Sequence, residues 1–430
     1  MGMRILHLSD IHLGSGQSYG RLNPQTGLNT RVEDVYRALA TAMDQALALP
    51  VDVVLFTGDA FPDATPPPVI QELLARQFLR AVAAQIPVVL LVGNHDQHKQ
   101  GEGGASLSIY RALNVPGVIV GESLATYTLT TRNGPLQVVT LPWITHSMLL
   151  TKPETQGLSM DDINNLLLKR LREVLEGEIV GLDPDIPAIL AAHVMVEQAV
   201  LGAERFLSPG KTFTVPLSLV AQPCFRYVAL GHVHRHQVLW TEPPVVYAGS
   251  IERVDFGEEK EAKGYVLVDI EPTETRWQFC PLPTRPMYTI QADLTQAADP
   301  QATLLAEIAK TPIADALVRV MYRIRQPQQA LINVGELQKA LAAAHYFTLQ
   351  PEIVTDQPRQ RLTQVDLSQV LDPMTVLAQY VDEIEQLQPL KNDLLLAAQA
   401  LLNGTEPEWS IPPAEQLPLQ LGQVTPVGKG

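Results

Sequence analysis

The sequence has few cysteines and lacks long apolar runs. Cys224 and Cys280 are the two cysteines in 430 residues. They are too few for a disulfide framework or a thiolate zinc site, so we expect a cytoplasmic protein. Apolar runs such as 88–92 are far shorter than the roughly 18 residues of a membrane span. The start MGMRILHLSD has no apolar stretch with a cleavage site. We therefore expect neither a secreted protein nor a membrane protein.

Basic residues are also scarce. The chain has 31 Lys and Arg against 46 Asp and Glu, a formal net charge of −15. A protein that simply coats nucleic acid is basic, so a nucleic-acid substrate would have to be held by something other than bulk charge. Apolar residues make up 46% of the chain, which is enough for sizeable cores. The length favours two to three domains.

Short apolar runs alternate with helical stretches up to about residue 283. Such runs are typical of strands buried on both faces. The predicted helices are 32–48, 69–84 and 161–175. The predicted strands are 4–8, 53–57, 87–92, 136–141, 188–192, 227–230, 245–248 and 265–270. The order predicts a layered α/β fold with mixed sheets flanked by helices, more antiparallel in its second half, where helices are scarce. Ligands of such sheets bind in the loops after the strands.

The pattern changes near 282–286. A small β-α-β-α-β unit follows, then a helix from about 373 with an apolar stripe of Leu377, Val381, Ile384 and Leu387. A second apolar helix is predicted over 390–402, and the remainder is rich in Pro, Gln and Gly. We therefore expect four parts: 1–285, 286–370, a helical segment 371–404 and a flexible tail 405–430.

Five short polar motifs follow directly on strand-like runs and contain five of the ten histidines. They are Asp10-Ile11-His12, Gly58-Asp59, Gly93-Asn94-His95-Asp96, His193 and Gly231-His232-Val233-His234. In an extended segment the side chains at i and i+2 point the same way, so two motifs can each present a pair of ligands. Glycine lets the backbone turn sharply beside an ion.

The donors are carboxylate, amide and imidazole groups without thiolate. This set suits Mn²⁺ or Fe²⁺, and after them Zn²⁺, better than Ca²⁺ or a structural zinc. Seven ligands are too many for one ion and fit two ions that share a carboxylate. Two ions roughly 3.5–4 Å apart are used for cleavage of phosphate esters.

The motif set resembles the calcineurin-like metallophosphoesterase superfamily. Within it, the segment YAGSIERVDFGE at 247–258 and Lys263-Gly264-Tyr265 resemble the SbcD-type nuclease subunits of DNA repair complexes. Specific motifs carry the resemblance over about the first 285 residues, and layout alone carries it beyond. It implies a calcineurin-like sandwich at 1–285, a small capping domain at 286–370 and partner-binding helices at 371–404.

The resemblance also implies roles for single residues. Asp59 would bridge the two metals, and His95 would face the scissile phosphate and help to protonate the leaving oxygen. Asp96 would either orient His95 or cap the turn. The remaining ligands would be Asp10, His12 and His234 at the first metal and Asn94, His193 and His232 at the second.

The implied cofactors are two divalent ions, Mn²⁺ before others, and the implied partners are DNA and a coiled-coil ATPase of the SbcC type; a homodimer stays open. Some relatives carry a histidine where Pro62 stands, which leaves DNA placement open. Arg253 would contact phosphate or form an ion pair with Asp255 or Glu258. The loop 14–30 would shape access to the site or be a plain surface loop.

Three functions fit these observations. The first is a two-metal DNA nuclease, an exonuclease on duplex ends and an endonuclease on hairpins or single strands. The second is a phosphodiesterase or phosphatase for small molecules or phosphoproteins, because the chemistry at phosphorus is shared. The third is a non-enzymatic scaffold on the same fold. The 247–258 segment favours the nuclease, and the presence of all seven ligands together with His95 disfavours the scaffold.

Overall fold

The computed structural model describes residues 2–98, 104–145, 150, 152–202, 213–354, 373–383 and 385–402. It contains two compact units, Met1–Val354 and Thr355–Gly430. The predicted tail 405–430 and Ile384 of the predicted apolar stripe lie outside the described residues.

Within that part of the chain, seventeen strands are numbered in chain order. They are β1 (Met3–Leu8), β2 (Val53–Phe56), β3 (Val88–Leu91), β4 (Val118–Gly121), β5 (Ala125–Thr131), β6 (Gly134–Leu141), β7 (Ala188–His193), β8 (Met195–Val196), β9 (Thr214–Val215), β10 (Phe225–Gly231), β11 (Gln237–Thr241), β12 (Pro244–Tyr247), β13 (Gly264–Ile270), β14 (Thr275–Pro281), β15 (Met287–Asp293), β16 (Leu317–Arg325) and β17 (Tyr346–Val354).

The α-helices are numbered in the same way. They are α1 (Thr30–Ala48), α2 (Pro68–Ala83), α3 (Ser108–Ala112), α4 (Lys152–Thr155), α5 (Met160–Val180), α6 (Leu217–Val220), α7 (Pro300–Ala309), α8 (Val334–Ala340), α9 (Pro373–Glu383) and α10 (Lys391–Leu402). None of the described helices is both long enough and apolar enough to cross a lipid bilayer.

Two six-stranded sheets form the body of the first unit. The first has the order β14-β13-β1-β2-β3-β4 and the second β11-β12-β10-β7-β6-β5. In the first sheet the four strands β1–β4 are parallel and β13 and β14 are antiparallel additions on one side. In the second sheet β12, β10, β7 and β6 are parallel, and an antiparallel strand flanks them on each side. The expectation of a more antiparallel second half is therefore right only for β11, β13 and β14, because β12, β10 and β7 pair in parallel.

Alternation along the strands places apolar side chains on both faces of each sheet. Ile5 belongs to the core between the two sheets, whereas Leu6 and Leu8 pack on the outer face with α1 and α2. On the far side, α5 covers the second sheet through Leu171 and its neighbours. The layers are therefore helix, sheet, sheet and helix, which confirms the predicted layered α/β fold.

The predicted buried strands agree with the structure to within about two residues, but several edge strands were not predicted. β5, β11 and β14 mix exposed polar side chains with apolar ones, so they lack the continuous apolar run that marks a buried strand. These edge strands widen the sheets, and the strands that lead into the polar motifs stay central.

A three-stranded parallel sheet, β15-β16-β17, follows in the same compact unit. α7 and α8 connect its strands and share a core with them, as the predicted β-α-β-α-β order requires. Arg285 precedes β15 and forms ion pairs with Asp34 on α1 and with Asp315. This three-stranded unit is thereby tied to the large sandwich by charge as well as by packing.

The second compact unit has α9 and α10, joined by a 3-10 turn at Glu385–Leu390 that contains Pro389. The predicted helix from about 373 and the predicted second helix over 390–402 are both present. Lys391 pairs with Asp382 across the turn. Leu396 and Leu401 on α10 are 71% and 67% exposed.

Candidate metal centre

The predicted ligands meet at the carboxyl ends of β1, β2, β3, β7 and β10. Six of them form two buried triads, and within each triad the candidate ligand atoms lie within 4.8 Å of one another. The first triad is Asp10, His12 and His234, and the second triad is Asp59, His193 and His232. Residues from both sheets contribute, so the site depends on how the two sheets pack together.

Asp59 joins the two triads. Its Oδ2 lies 3.7 Å from His12 Nε2 and 3.4 Å from His193 Nε2. The seventh predicted ligand, Asn94, places its Oδ1 3.1 Å from His193 Nε2 and 2.9 Å from His232 Nδ1. All seven predicted ligands therefore cluster at one site.

The backbone at the site is not extended, contrary to the expectation from i and i+2 spacing. Asp10, His12, Asp59 and His232 have φ values of 48°, 46°, 61° and 101°. These left-handed conformations are costly for residues with side chains, and surrounding contacts must hold them. The ligands thus converge because each strand ends in a sharp turn.

Two glycines have no room for a side chain. A Cβ at Gly93 would lie 2.1 Å from Asp59 Oδ1, and a Cβ at Gly58 would lie 2.4 Å from His193 Nδ1. Gly58 also has a φ of 102°. These glycines are required because the backbone passes directly beside the ligand side chains.

Asp96 hydrogen-bonds to the backbone of two loops, the one that follows β2 and the one that follows β3. Its Oδ2 accepts hydrogen bonds from the backbone N–H groups of Asp59 and Gly93, and its Oδ1 accepts one from Ala60. Of the two roles expected for Asp96, orienting His95 or capping the turn, these bonds correspond to capping. Asp96 holds Asp59 in its left-handed conformation.

His95 stands at the edge of the triads. Its ring lies 5.1 Å from that of His12, and its backbone N–H donates to Asp59 Oδ1. Nδ1 lies 2.9 Å from the carbonyl oxygen of Pro62 and donates to it. Nε2 takes no part in this bond, and His95 lines a small cavity of about 220 Å³.

The ligand imidazoles are held from behind. His193 Nδ1 donates to the carbonyl oxygen of Thr57 at 2.7 Å, and His234 Nδ1 donates to Glu258 Oε1 at 2.7 Å. The indole of Trp143 packs against His232, with 4.9 Å between the ring centroids. Such contacts fix which ring nitrogen is left for the site.

Comparison with known proteins agrees with this geometry. The sequence profile of calcineurin-like phosphoesterases matches residues 3–236, more than half of the chain. The chain belongs to this family. The SbcD subunit of the nuclease SbcCD from Bacillus subtilis is 29% identical to this phosphoesterase over 292 residues, which cover 64% of this chain and 68% of the relative.

Two solved structures are similar to this phosphoesterase at low TM-scores. A dimetal phosphatase from Danio rerio is 10% identical with a TM-score of 0.36, over 64% of this chain and 98% of the other. A purple acid phosphatase from yellow lupin, Lupinus luteus, is 12% identical with a TM-score of 0.37, over 65% of this chain and 52% of the other.

The donors of this phosphoesterase fit a pair of divalent cations. Burial lowers the pKa of His232 to about 3. Burial also lowers the pKa of His193, but the Asp59 carboxylate outweighs it and raises that pKa to about 9. The Asp59 carboxylate thus favours a proton on His193, and two cations in its place would be bound by neutral imidazoles and ionised carboxylates together.

Arg253 has a structural role in this phosphoesterase. Its guanidinium donates to the backbone carbonyls of Glu258, Glu261 and Arg285 and to the hydroxyl of Thr284. Neither of the ion pairs considered for it forms: Glu258 instead meets His234 and Lys263 with its carboxylate. The phosphate contact of Arg253 stays an untested prediction.

The loop 14–30 packs onto neighbouring elements. Tyr19 lies edge to face with Phe256, with 5.2 Å between ring centroids, and with Tyr346 of the three-stranded unit at 6.4 Å. Asn29 caps α1 by accepting from the backbone N–H of Arg31. This loop therefore has defined packing partners.

Three residues that matter for the site were missed or assigned differently by sequence reasoning. Glu258 and Lys263 lie in the two stretches that carry the family resemblance, and that location could have marked them as important. Their contacts with His234 could not be read from the sequence. Trp143 follows β6, two residues after the strand ends. Its position after a buried strand, like that of the ligand motifs, is the signal that could have found it.

Proposed function

We propose that this phosphoesterase is a two-metal DNA nuclease subunit that hydrolyses phosphodiester bonds in DNA repair, together with a coiled-coil ATPase of the SbcC type. The observation that carries the proposal is the pair of triads joined by Asp59, with His95 beside them. The similarity to the SbcD subunit of an SbcCD nuclease supports DNA as the substrate and the ATPase as the partner. We propose that it acts in the cytoplasm, as an exonuclease on duplex ends and as an endonuclease.

The oxygen and nitrogen donors support Mn²⁺ as the bound metal. Two such cations, when bound, neutralise charge on the phosphate and lower the pKa of a water molecule so that it becomes a nucleophile near neutral pH. We assign Asp10, His12 and His234 to one cation and Asn94, His193 and His232 to the other. Asp59 would bridge them.

His95 would protonate the leaving oxygen. Because Nδ1 donates to the Pro62 carbonyl, Nε2 is the nitrogen that faces the substrate. A protonated Nε2 can donate to a phosphate oxygen and then transfer its proton to the departing alkoxide. The hydrogen bond uses the backbone of residue 62, so proline at this position preserves the orientation of His95.

The charge of the chain favours an assembly. A subunit with a net charge of −15 attracts DNA poorly on its own. Cations at the site and a basic partner would supply the attraction. Exposed leucines on α10, such as Leu396 and Leu401, are suited to a hydrophobic groove on that partner.

Purified protein and Mn²⁺ are incubated with linear duplex DNA and, in parallel, with a generic aryl phosphodiester. The proposal requires cleavage of DNA, and Asp59→Ala serves as the blank in both assays. Hydrolysis of the aryl ester alone would favour the alternative, a phosphodiesterase or phosphatase for smaller substrates.

The partner is tested separately. The intact chain and a version ending at residue 370 are each mixed with an ATPase of the SbcC type. We expect co-purification of the intact chain only. Retention of the shortened version would remove α9 and α10 from the proposed docking segment.

A further inference from the structure

Glu258 lies directly behind one ligand of the first triad. Its Oε1 accepts a hydrogen bond from His234 Nδ1 at 2.7 Å, and the two side chains are 0% and 2% exposed. This bond fixes the ring so that Nε2 is the nitrogen within the triad, 3.0 Å from His12 Nε2. A carboxylate in this position orients an imidazole and makes it a more basic ligand.

The other oxygen of Glu258 is also fully engaged. Oε2 lies 2.8 Å from Lys263 Nζ and accepts from the backbone N–H of Val254 at 3.0 Å. Lys263 is 2% exposed and donates in addition to the carbonyl oxygen of His234 and to Glu261. The lysine neutralises the buried carboxylate and leaves it little freedom to move.

The second triad is supported differently. His193 Nδ1 donates to the carbonyl of Thr57, which directly follows β2 in the centre of the first sheet. A backbone carbonyl in that place is held by the sheet itself. Glu258, by contrast, is on a short 3-10 turn, Phe256–Glu258, outside both sheets.

That turn is anchored on the three-stranded unit. Phe256 is 2% exposed and packs against Met287 on β15 and Leu317 on β16. The guanidinium of Arg319, also on β16, lies 4.7 Å from the centre of the Phe256 ring. A single residue, Gly257, therefore separates the side chain that packs on the three-stranded unit from the carboxylate that holds His234.

We propose that Glu258 is a positioning residue for the cation of the first triad, and that the Phe256–Glu258 turn makes binding of this cation depend on the seating of the three-stranded unit. The first triad is the adjustable half of the centre, and the second triad is the fixed half. Displacement of the unit would draw Glu258 from His234 and weaken one cation site selectively. The inference rests on the two-cation part of the proposed function and is independent of DNA as the substrate.

The test measures Mn²⁺ binding to the full-length chain by titration calorimetry, with electron paramagnetic resonance to distinguish a coupled pair of ions from an isolated ion. Glu258→Gln keeps the size of the side chain but replaces one acceptor oxygen by an NH₂ group. That group must face a donor, either His234 Nδ1–H or the pair of Lys263 Nζ and the Val254 N–H. We expect two ions on the wild type. In Glu258→Gln we expect one ion unchanged, the other weakened about 10- to 100-fold, and loss of the coupled signal at subsaturating Mn²⁺.

Asp52→Asn is the control. Asp52 is another buried carboxylate, 2% exposed, and interacts with Asn133, Arg132 and the backbone N–H of Arg4, not with a ligand of either triad. We expect this variant to bind two ions as the wild type does. Two-ion binding by Glu258→Gln at wild-type affinity, or an equal loss in Asp52→Asn, would overturn the proposal.

Combination with ligand variants identifies the weakened site. Glu258→Gln added to His12→Ala should change cation binding little further, because both affect the first triad. Added to His193→Ala it should weaken the ion that remains. The reverse pattern would place Glu258 behind the wrong triad and contradict the assignment.

Phe256→Ala tests the link to the three-stranded unit. It keeps the Glu258 side chain but removes the packing that anchors its turn, so we expect the same ion to be weakened, by a smaller factor than in Glu258→Gln. Phe347→Ala, in the separate core of that unit, should leave both ions bound. Thermal unfolding checks that each variant folds. Wild-type binding in folded Phe256→Ala would refute the link.

Discussion

The two triads contain similar ligands but are held by different parts of the molecule. His193 in the second triad is bonded to the Thr57 carbonyl at the end of a central strand. His234 in the first triad is bonded to Glu258, on a turn that reaches the three-stranded unit. The difference is that one candidate site is held by the sheets themselves and the other by a turn packed on a neighbouring structural unit.

Asp59→Ala should remove this difference by disabling both sites. Asp59 Oδ2 faces ligands of both triads, so its loss leaves neither with a complete set of donors. We expect loss of two-ion binding and of cleavage, measured by metal analysis and by the phosphodiester assays. Asp63→Ala, on the neighbouring loop with its carboxylate bonded to Thr65, is the control and should keep both. Cleavage at the wild-type level in Asp59→Ala would remove the assigned site.

His95→Ala should separate chemistry from metal binding. His95 contributes its backbone N–H, not its ring, to Asp59, so both triads should still bind cations. We expect turnover to fall by about 10²- to 10⁴-fold, the usual contribution of a general acid. His98→Ala is the control on the same loop and should have a small effect. If His95→Ala lost its cations, the role given to His95 would be wrong.

Asp34→Ala should loosen the junction that supports the first triad. The buried Asp34 carboxylate pairs with Arg31 and Arg285, and its removal leaves the Arg31 guanidinium with only the more distant Glu252 and Arg285 with only the exposed Asp315. We expect the free energy of unfolding to fall by about 3–5 kcal/mol in denaturant titrations. Asp44→Ala, which breaks an exposed pair with Arg80, should cost less than about 1 kcal/mol. Equal effects would contradict the structural weight given to this junction.

The Asp34 contribution should also depend on pH. Burial raises the pKa of Asp34, but its hydrogen bond to Arg285 and the charge of Arg31 outweigh burial, so the pKa lies below its ordinary value. The stabilisation is therefore complete above the ordinary Asp pKa of about 3.9 and is lost as pH falls through the folded-state value. The stability difference between wild type and Asp34→Ala should shrink only in this acid range. Shrinkage near neutral pH would contradict this assignment.

Trp143→Ala should have the smallest effect and should act on the second triad alone. The indole packs on His232, and its loss frees the imidazole to rotate. We expect the affinity for one cation to fall about tenfold in Mn²⁺ titrations, with the other unchanged. Trp240→Ala, at a 51% exposed position on β11, is the control. Weakening of the first-triad ion instead would contradict the separation between the triads.

The sequence predicts the place of the site well because each ligand motif follows a buried strand. The apolar runs of β1, β2, β3, β7 and β10 mark those strands, and parallel strand ends share one edge of a sheet. This reasoning brings all seven ligands together. It does not predict the left-handed backbone at Asp10 or His232, which tertiary contacts impose.

The supporting residues are harder to predict for a physical reason. Glu258 and His234 are 24 positions apart and meet only because a turn outside the sheets folds back. Trp143 contacts His232 from the end of a different strand. Such contacts leave no periodic pattern in the sequence, whereas a buried strand does.

The central claim is that seven side chains hold two divalent cations, one at each triad. Anomalous scattering from crystals soaked in Mn²⁺ tests it most directly. We expect two peaks, one beside Asp10, His12 and His234 and the other beside Asn94, His193 and His232, with Asp59 between them. No peak at these atoms, or imidazoles that point away from one another, would contradict the account.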